Sequence, residues 1–317
     1  MKKLTVMALL LLVTSLSFAE ERGKYYSPSF TENLLIYIMN PKLVGGWCLP
    51  LRDYEKKYML KEYVELPMLG GWRDGKIPDK EKILTYGIKN AFVISDGEFY
   101  TKDRAKELEA LRMSVLTLNA DKLEDYIPLL RDLGRELGVP ERGEILAEYG
   151  EEALERTKLM TAGIHENEKK RVFWALGSDG LSTACTGAIE LAGGVNVNDC
   201  KLSRMTVTFE QLMVYDPDVI IAINPVSAQK IMNDPRWQRL RAYKNGQIHI
   251  VPFGPFGWLH MPEVTRFMGI QWLACSLYPE RCTINIDEEA KKFTKLFMHV
   301  ELTDADLDDI MHRNKKW

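Results

Sequence analysis

Pro140–Gly163 reads PERGEILAEYGEEALERTKLMTAG. Proline stands where a first helical turn accepts it, Glu141 and Glu144 face the electropositive start, and a glycine closes the run. Apolar residues recur at Leu146, Tyr149, Ala153, Met160 and Ile164, the spacing of one helix face. Glu152 and Arg156 stand four apart on the other side, as an ion pair requires. The pattern predicts a helix on the order of 36 Å long at about 1.5 Å per residue.

The flanks turn this helix from an ordinary surface element into a spine. Upstream, Asp79–Tyr86 (DKEKILTY) leads into the apolar run Ala91–Ser95. Downstream, Thr208–Tyr215 (TFEQLMVY) leads into Asp218–Ala222. Each reads as a short helix delivering the chain into a buried parallel strand. Each helix start carries a glutamate at the same place, Glu81 and Glu210. Two like α/β units, one before and one after a long helix, predict an α/β chain of two lobes of one architecture.

The boundaries expected are a leader over 1–19, an N-terminal lobe over 20–139, the bridging helix over 140–164, and a C-terminal lobe with a helical tail over 165–317. The leader has a basic start at Lys2–Lys3, an apolar core over Leu4–Leu16, and small residues before a cleavage point near Ala19. That core is shorter than a membrane span, and no lipid-anchoring cysteine follows it, which predicts export to the periplasm. A net charge of −3, without a basic block, argues against a nucleic-acid partner. The five cysteines lack metal-site spacing; Cys185–Cys200 and Cys275–Cys282 are the sequence-near disulfide options, each weighed against buried thiols.

In the first lobe, Ser29 and Glu32 fit a capping box ahead of an apolar helix over Leu34–Met39. Leu43–Trp47 reads as a strand ending in a glycine turn. Leu69–Gly75 repeats the glycine–tryptophan device and adds Arg73, and Glu98 and Tyr100 follow the strand Ala91–Ser95. In the second lobe, a strand carrying Trp174 ends at Gly177, and the strand Gln247–Val251 empties into Pro252–Glu263, which carries Trp258 and His260. A long apolar helix is expected from about Pro262 to Leu277. Ligands of open α/β sheets sit beyond the carboxyl ends of strands, which makes these loop residues candidates. Of the five histidines, His165 and His312 read as exposed and His249 as lying within a strand, and none has a partner at metal-site spacing.

The segments SPSFTE (Ser27–Glu32), GLSTACTG (Gly180–Gly187), LAGGVNV (Leu191–Val197), TFEQLMVYDPDVII (Thr208–Ile221), NDPRWQRLRAYKNGQIHIVP (Asn233–Pro252), GPFGW (Gly254–Trp258) and LYPE (Leu277–Glu280) span the chain. Together they resemble the periplasmic substrate-binding proteins of ABC importers for iron–siderophores, cobalamin and related metal-containing ligands. GPFGW is most similar to a subgroup that includes molybdate and tungstate binders. The resemblance implies two Rossmann-like lobes bridged by a single long α-helix with the ligand cleft between the lobes, no catalysis, no intrinsic cofactor, and a bound metal complex as the transported ligand. It also implies a monomer that delivers to an inner-membrane permease with its cytoplasmic ATPase.

The ligand-binding set expected on both grounds is Tyr26, Trp47, Trp72, Arg73, Glu98, Tyr100, Trp174, Trp258 and His260. Trp47, Trp72, Arg73, Trp174, Trp258 and His260 are expected to border one cleft. The resemblance further assigns Glu81 and Glu210 to permease docking. His260, where relatives usually carry aspartate, is a candidate ligand to an open metal position. The segment between Gly187 and Ala192 is about one turn shorter than usual in the family. The alternatives are a tetrahedral oxoanion binder and, from another class, a metallochelatase using His260 with Glu98 or Glu263.

Overall fold

In a computed structural model, the residues described are 24–72, 77–95, 99–177, 180–198, 205–260 and 263–314, so the expected leader lies outside them. The chain divides into two compact units. Unit 1 comprises Met1–Gly150 with Leu296–Val300, and unit 2 comprises Glu151–Lys295 with Glu301–Trp317.

Unit 1 runs β1 (Tyr25–Tyr26), α1 (Phe30–Met39), α2 (Asp53–Lys57), α3 (Lys61–Val64), α4 (Lys80–Thr85), β2 (Asn90–Ser95), α5 (Phe99–Glu109), β3 (Ser114–Asn119) and α6 (Tyr126–Glu136). Its strands are parallel in the order β1-β2-β3, with Tyr25 opposite Asn90 and Asn90 opposite Ser114. The expected strand Leu43–Trp47 is only two isolated bridges, Tyr25 to Val44 and Trp47 to Met68. Gly45 and Gly46 separate those bridges, and residues without side chains add little to hold a ladder together.

Helix α1 is buried from Thr31 to Met39, so it is a core element with no solvent face. That burial overturns the capping box. Ser29 occupies the N-cap without a side-chain bond, and Glu32 instead reaches across the unit to accept from the Ile94 amide at 3.2 Å. The helix α5 follows β2 and begins at Phe99.

The bridging helix, α7 (Pro140–Thr161), begins in unit 1 and ends in unit 2. Its stripe is buried at Leu146, Tyr149, Ala153 and Met160. It crosses α6 with backbones nearly touching: a Cβ on Gly143 would meet the Leu130 carbonyl oxygen at 2.6 Å. Arg156 is not merely a partner of Glu152 at 3.1 Å, because its guanidinium also reaches Glu289 at 2.8 Å and Gln271 Oε1 at 2.9 Å.

Unit 2 continues with β4 (Arg171–Ala175), β5 (Ser182–Thr183), α8 (Gly187–Leu191), β6 (Val195–Asn196), β7 (Met205–Thr206), α9 (Phe209–Tyr215), β8 (Val219–Ala222), α10 (Pro225–Asn233), α11 (Arg241–Lys244), β9 (Ile248–Ile250), α12 (Arg266–Leu277), α13 (Ile286–Met298) and α14 (Asp304–Ile310). α13 ends in the segment assigned to unit 1. The apolar helix starts at Arg266, four residues late, because Glu263–Thr265 form a 3₁₀ turn before it.

The parallel order β6-β4-β8-β9 is that of a doubly wound sheet. The chain leaves β4 in both directions, which puts the topological switch between β4 and β8. Phe173, Ala175, Ile220 and Ala222 form one core with Leu212, Ile231 and Trp237. The other face carries Val172, which meets Gly194 together with Ile189 of α8 and Leu277 of α12. His312, expected to be exposed, is buried, with Nε2 at 3.2 Å from the Val251 carbonyl.

Cys275 and Cys282 form a disulfide. Cys185 is also disulfide-bonded, while its expected partner Cys200 lies outside the described residues. Cys48 carries a buried thiol. Replacing Cys275 and Cys282 by serine together is expected to lower stability by about 2–3 kcal/mol, the size for so short a closed loop. Denaturant unfolding without reductant measures the difference.

Candidate functional site

Trp174 occupies the last turn of pleat in β4, beside the switch point. In register it stands next to Ile221, which stands next to His249, so the three share the face turned away from the Phe173 core. Only 4% of Trp174 is exposed, yet its indole Nε1 has no hydrogen-bond partner among the described residues. Leaving such a donor unsatisfied costs about 1–3 kcal/mol, so the bare N–H is a site for an acceptor that arrives with a ligand or with water.

Just past β4 the chain turns back, with the Leu176 amide donating to the Ser182 carbonyl at 2.6 Å. This places Thr183 beside β4, fully buried, with a hydroxyl that has no partner among the described residues. His249 lies 3.3 Å from Gln247 Oε1, and burial pushes its pKa below the usual histidine value.

Trp258 repeats the Trp174 situation on the loop after β9. It is 1% exposed, and its Nε1 likewise lacks a partner among the described residues. The loop that carries it is tightly tied. The Trp258 amide donates to the Pro252 carbonyl at 3.2 Å, and Thr265 Oγ1 donates to the Gly257 carbonyl at 3.0 Å. Its outer side packs on α12, where a Cβ at Gly269 would lie 2.0 Å from the Trp258 carbonyl oxygen. His260, two residues on, is exposed.

In unit 1 the expected residues divide. The Tyr26 side chain is buried, and its hydroxyl donates to the Gly70 carbonyl, with burial raising its pKa. Trp47 is 2% exposed, and its Nε1 donates to the Tyr63 carbonyl at 2.8 Å. Both polar groups are thus engaged inside the unit. Trp72 is half-buried, with Nε1 donating to Glu107 Oε2 at 3.2 Å and the Arg104 guanidinium 4.9 Å from its ring centroid. Arg104 was absent from the sequence reading; its stacking on Trp72 joins residues 32 apart, which no local periodicity reports. Arg73 and Glu98 lie outside the described residues, and Tyr100 is described only as backbone of α5.

Glu81 and Glu210 are each the second residue of their helix, and both are exposed. Asp79 Oδ1 accepts from the Lys82 amide at 3.1 Å, and Thr208 Oγ1 accepts from the Gln211 amide at 3.2 Å. A hydrogen bond from its own backbone N–H, then one from Thr208, holds the Glu210 carboxyl below the usual range.

A groove of about 600 Å³ lies elsewhere, at the starting ends of β4, β6 and β8, bounded by Lys170, Arg171, Asp218 and Arg241. It is at the edge opposite to Trp174, where parallel sheets do not usually bind solutes. Among the described residues, no group of three or more His, Cys, Asp or Glu is placed to hold a metal, and no helix is long and apolar enough to cross a membrane.

The profile of a family described as periplasmic binding protein matches residues 92–253. An ABC transporter solute binding protein from Sulfurospirillum deleyianum is 30% identical. It superposes with a TM-score of 0.82 over 91% of this chain and 94% of its own. The molybdate-binding protein MolA of Haemophilus influenzae is 28% identical over 138 residues, 40% of this chain and 39% of MolA. The structure of molybdate-bound MolA superposes with a TM-score of 0.71 at 18% identity, over 89% of this chain and 93% of that one, a likeness of fold. The parallel sheets, doubly wound in unit 2, the long helix through both units and these matches lead to one conclusion: the chain belongs to the periplasmic binding protein family.

Proposed function

We propose that this protein captures a small metal oxoanion, of the molybdate or tungstate type, in the periplasm and delivers it to an ABC permease with its ATPase. It acts as a monomer, with no intrinsic cofactor and no turnover. The observation that carries this reading is the pair of buried indole N–H groups, Trp174 Nε1 and Trp258 Nε1, that have no acceptor among the described residues. Oxoanions need inward N–H donors in a small dry site, whereas a chelate needs broad exposed aromatic faces. The near-complete burial of Trp47, Trp174 and Trp258 moves the balance away from the chelate. The described similarity to a molybdate-binding protein supports the same direction.

The second reading, a metal chelate, is favoured by the half-buried Trp72 ring with Arg104 stacked on it, an aromatic and cationic surface suited to an anionic complex. In that case His260 is the proposed group at an open metal position.

Calorimetric titration with molybdate, tungstate, sulfate, a ferric siderophore and cobalamin decides between them. Molybdate and tungstate are expected to saturate one site. Trp174→Phe and Trp258→Phe, which keep an aromatic ring but lose the donor, are each expected to weaken binding at least tenfold, as loss of a hydrogen bond to a charged group does. Saturation by the siderophore or cobalamin alone would transfer the assignment to the chelate.

A further inference from the structure

Arg266 is the first residue of α12, and its side chain is only partly exposed. Its Nε is buried without a hydrogen-bond partner among the described residues, and none of their ion pairs includes it. An arginine runs against the local electrostatics here. The start of a helix is electropositive and favours carboxylates, yet the first turn of α12 holds no acidic residue. Glu263, in the 3₁₀ turn ahead, forms no ion pair with Arg266. Thr265, at the N-cap, does not cap the helix, because its hydroxyl donates to the Gly257 carbonyl at 3.0 Å. A guanidinium and a helix start thus place two sources of positive charge in one turn.

The position of that turn follows from how α12 is tied at both ends. At its far end, Leu277 and Val172 of β4 both press on Gly194, and the Tyr278 hydroxyl accepts from the Lys170 amide at 2.9 Å, at the starting edge of the sheet. At its near end, the Thr265 bond to Gly257 and the close approach of Gly269 to the Trp258 carbonyl hold it to the loop after β9, at the carboxyl edge. The helix therefore runs back along the face of β4 that carries Val172 and Trp174. Arg266 precedes Leu277 by about three turns, so both lie on one side of α12. Those turns are about 16 Å long, whereas β4 covers only about 10 Å from Val172 to Ala175. Arg266 thus stands about one turn past the carboxyl end of β4, over the edge where open α/β sheets bind solutes. Trp174 Nε1 and Trp258 Nε1, both buried and without acceptors among the described residues, belong to the same edge.

We infer that Arg266 is the cation of the solute site: its guanidinium neutralises the tetrahedral oxoanion that the two indole N–H groups hydrogen-bond. The inference rests on the oxoanion reading above and adds a charge selectivity to it. Indole donors carry no net charge, so by themselves they discriminate weakly between a dianion and a monoanion of the same shape. A half-buried guanidinium makes charge-assisted, forked hydrogen bonds, and its attraction grows with the charge of the ligand.

The test is calorimetric titration with molybdate and with perrhenate, a tetrahedral anion of similar size that carries one charge where molybdate carries two. Wild type is expected to bind molybdate the more tightly. Arg266→Gln is expected to weaken molybdate roughly tenfold or more and perrhenate less, so that the preference for molybdate falls about threefold or more. Arg266→Lys keeps the charge and loses the fork, so both anions are expected to weaken while the preference stays. The guanidinium has no partner among the described residues, so both variants are expected to melt without solute at or above the wild-type temperature. Equal weakening of both anions by Arg266→Gln overturns the inference, and so does a solute-free variant that melts lower or fails to fold, because the side chain would then serve the fold. Wild-type molybdate affinity in Arg266→Gln overturns it as well and leaves the oxoanion reading standing. A wild-type protein that binds neither anion overturns both.

Discussion

Gly269→Ala is expected to be among the most damaging single-methyl additions in the chain. A Cβ there would lie 2.0 Å from the Trp258 carbonyl oxygen, 2.7 Å from its carbonyl carbon and 2.9 Å from Leu259 Cδ2. The first two are backbone atoms, so no rotamer change relieves them. Alanine gains about 1 kcal/mol over glycine inside a helix, but overpacking costs about 1–3 kcal/mol or more, and a rigid overlap this deep falls at the top of that range. The net expectation is a loss of about 2–3 kcal/mol or greater. Because relief must come from moving the Trp258 loop off α12, affinity for the solute is expected to fall with it. Gly187→Ala is the control: nothing lies within 4 Å of its Cβ position at the start of α8, and it is expected to be neutral or mildly stabilising. Thermal melts and titrations of both variants make the comparison. A stable, fully binding Gly269→Ala protein would contradict this packing.

The second large effect is on acid stability. His299 Nε2 donates to the Tyr37 and Ile38 carbonyls, each at 3.1 Å, and its ring meets Tyr37 edge-on at 5.4 Å. Burial, followed by the positive charge of Arg142, pushes its pKa down from 6.5 to about 4. A depressed histidine favours the folded state while it is neutral. The unfolded chain takes up the proton near pH 6.5 and the folded chain only near 4. Stability is therefore complete above about pH 6.5 and is lost progressively between there and about 4. At about 1.4 kcal/mol per unit, the loss attributable to this group approaches 3 kcal/mol. His299→Asn removes the titration yet suits the backbone, because φ is 61° and asparagine tolerates that left-handed conformation. Urea unfolding from pH 7.5 to 4 is expected to show a shallower acid decline in the variant. Equal declines would sink the assignment.

The features legible from sequence were those encoded locally. Proline at 140, glycine at 163 and a stripe at helical spacing place α7 to within a few residues. Glu81 and Glu210 stood out because each sits at a fixed offset before an apolar strand. Readings failed where a residue's surroundings come from far along the chain. The S-x-x-E pattern at Ser29 marks a helix start correctly, but the unbroken apolar run Leu34–Met39 signals a helix with no outer face, so Glu32 had to turn inward to Ile94. His312 looked exposed because Asp308, Asp309 and Arg313 surround it in sequence, yet the turn after α14 tucks it under Val251. The tryptophans were found by their glycine turns. Which of them retains a bare N–H depends on acceptors such as the Tyr63 carbonyl, sixteen residues from Trp47, which no spacing rule identifies.

The division of the chain between its units has a genetic consequence. The backbone passes from one unit to the other three times: at Gly150–Glu151, Lys295–Leu296 and Val300–Glu301. The five residues Leu296–Val300 complete unit 1. Phe297 packs edge-on to Tyr149 at 5.4 Å, the Met298 carbonyl accepts from the Tyr37 hydroxyl at 2.9 Å, and the Leu296 carbonyl accepts from Arg142. Arg142 is already buried enough to bring its pKa down to about 10, so removing Leu296 would leave a desolvated cation with the Ile38 carbonyl in place of two carbonyl acceptors. Neither unit is therefore a contiguous cassette. A gene cut at codon 150 would separate unit 1 from residues its own core is built around, so lobe exchange between relatives must carry the 296–300 segment as a second, unlinked insert.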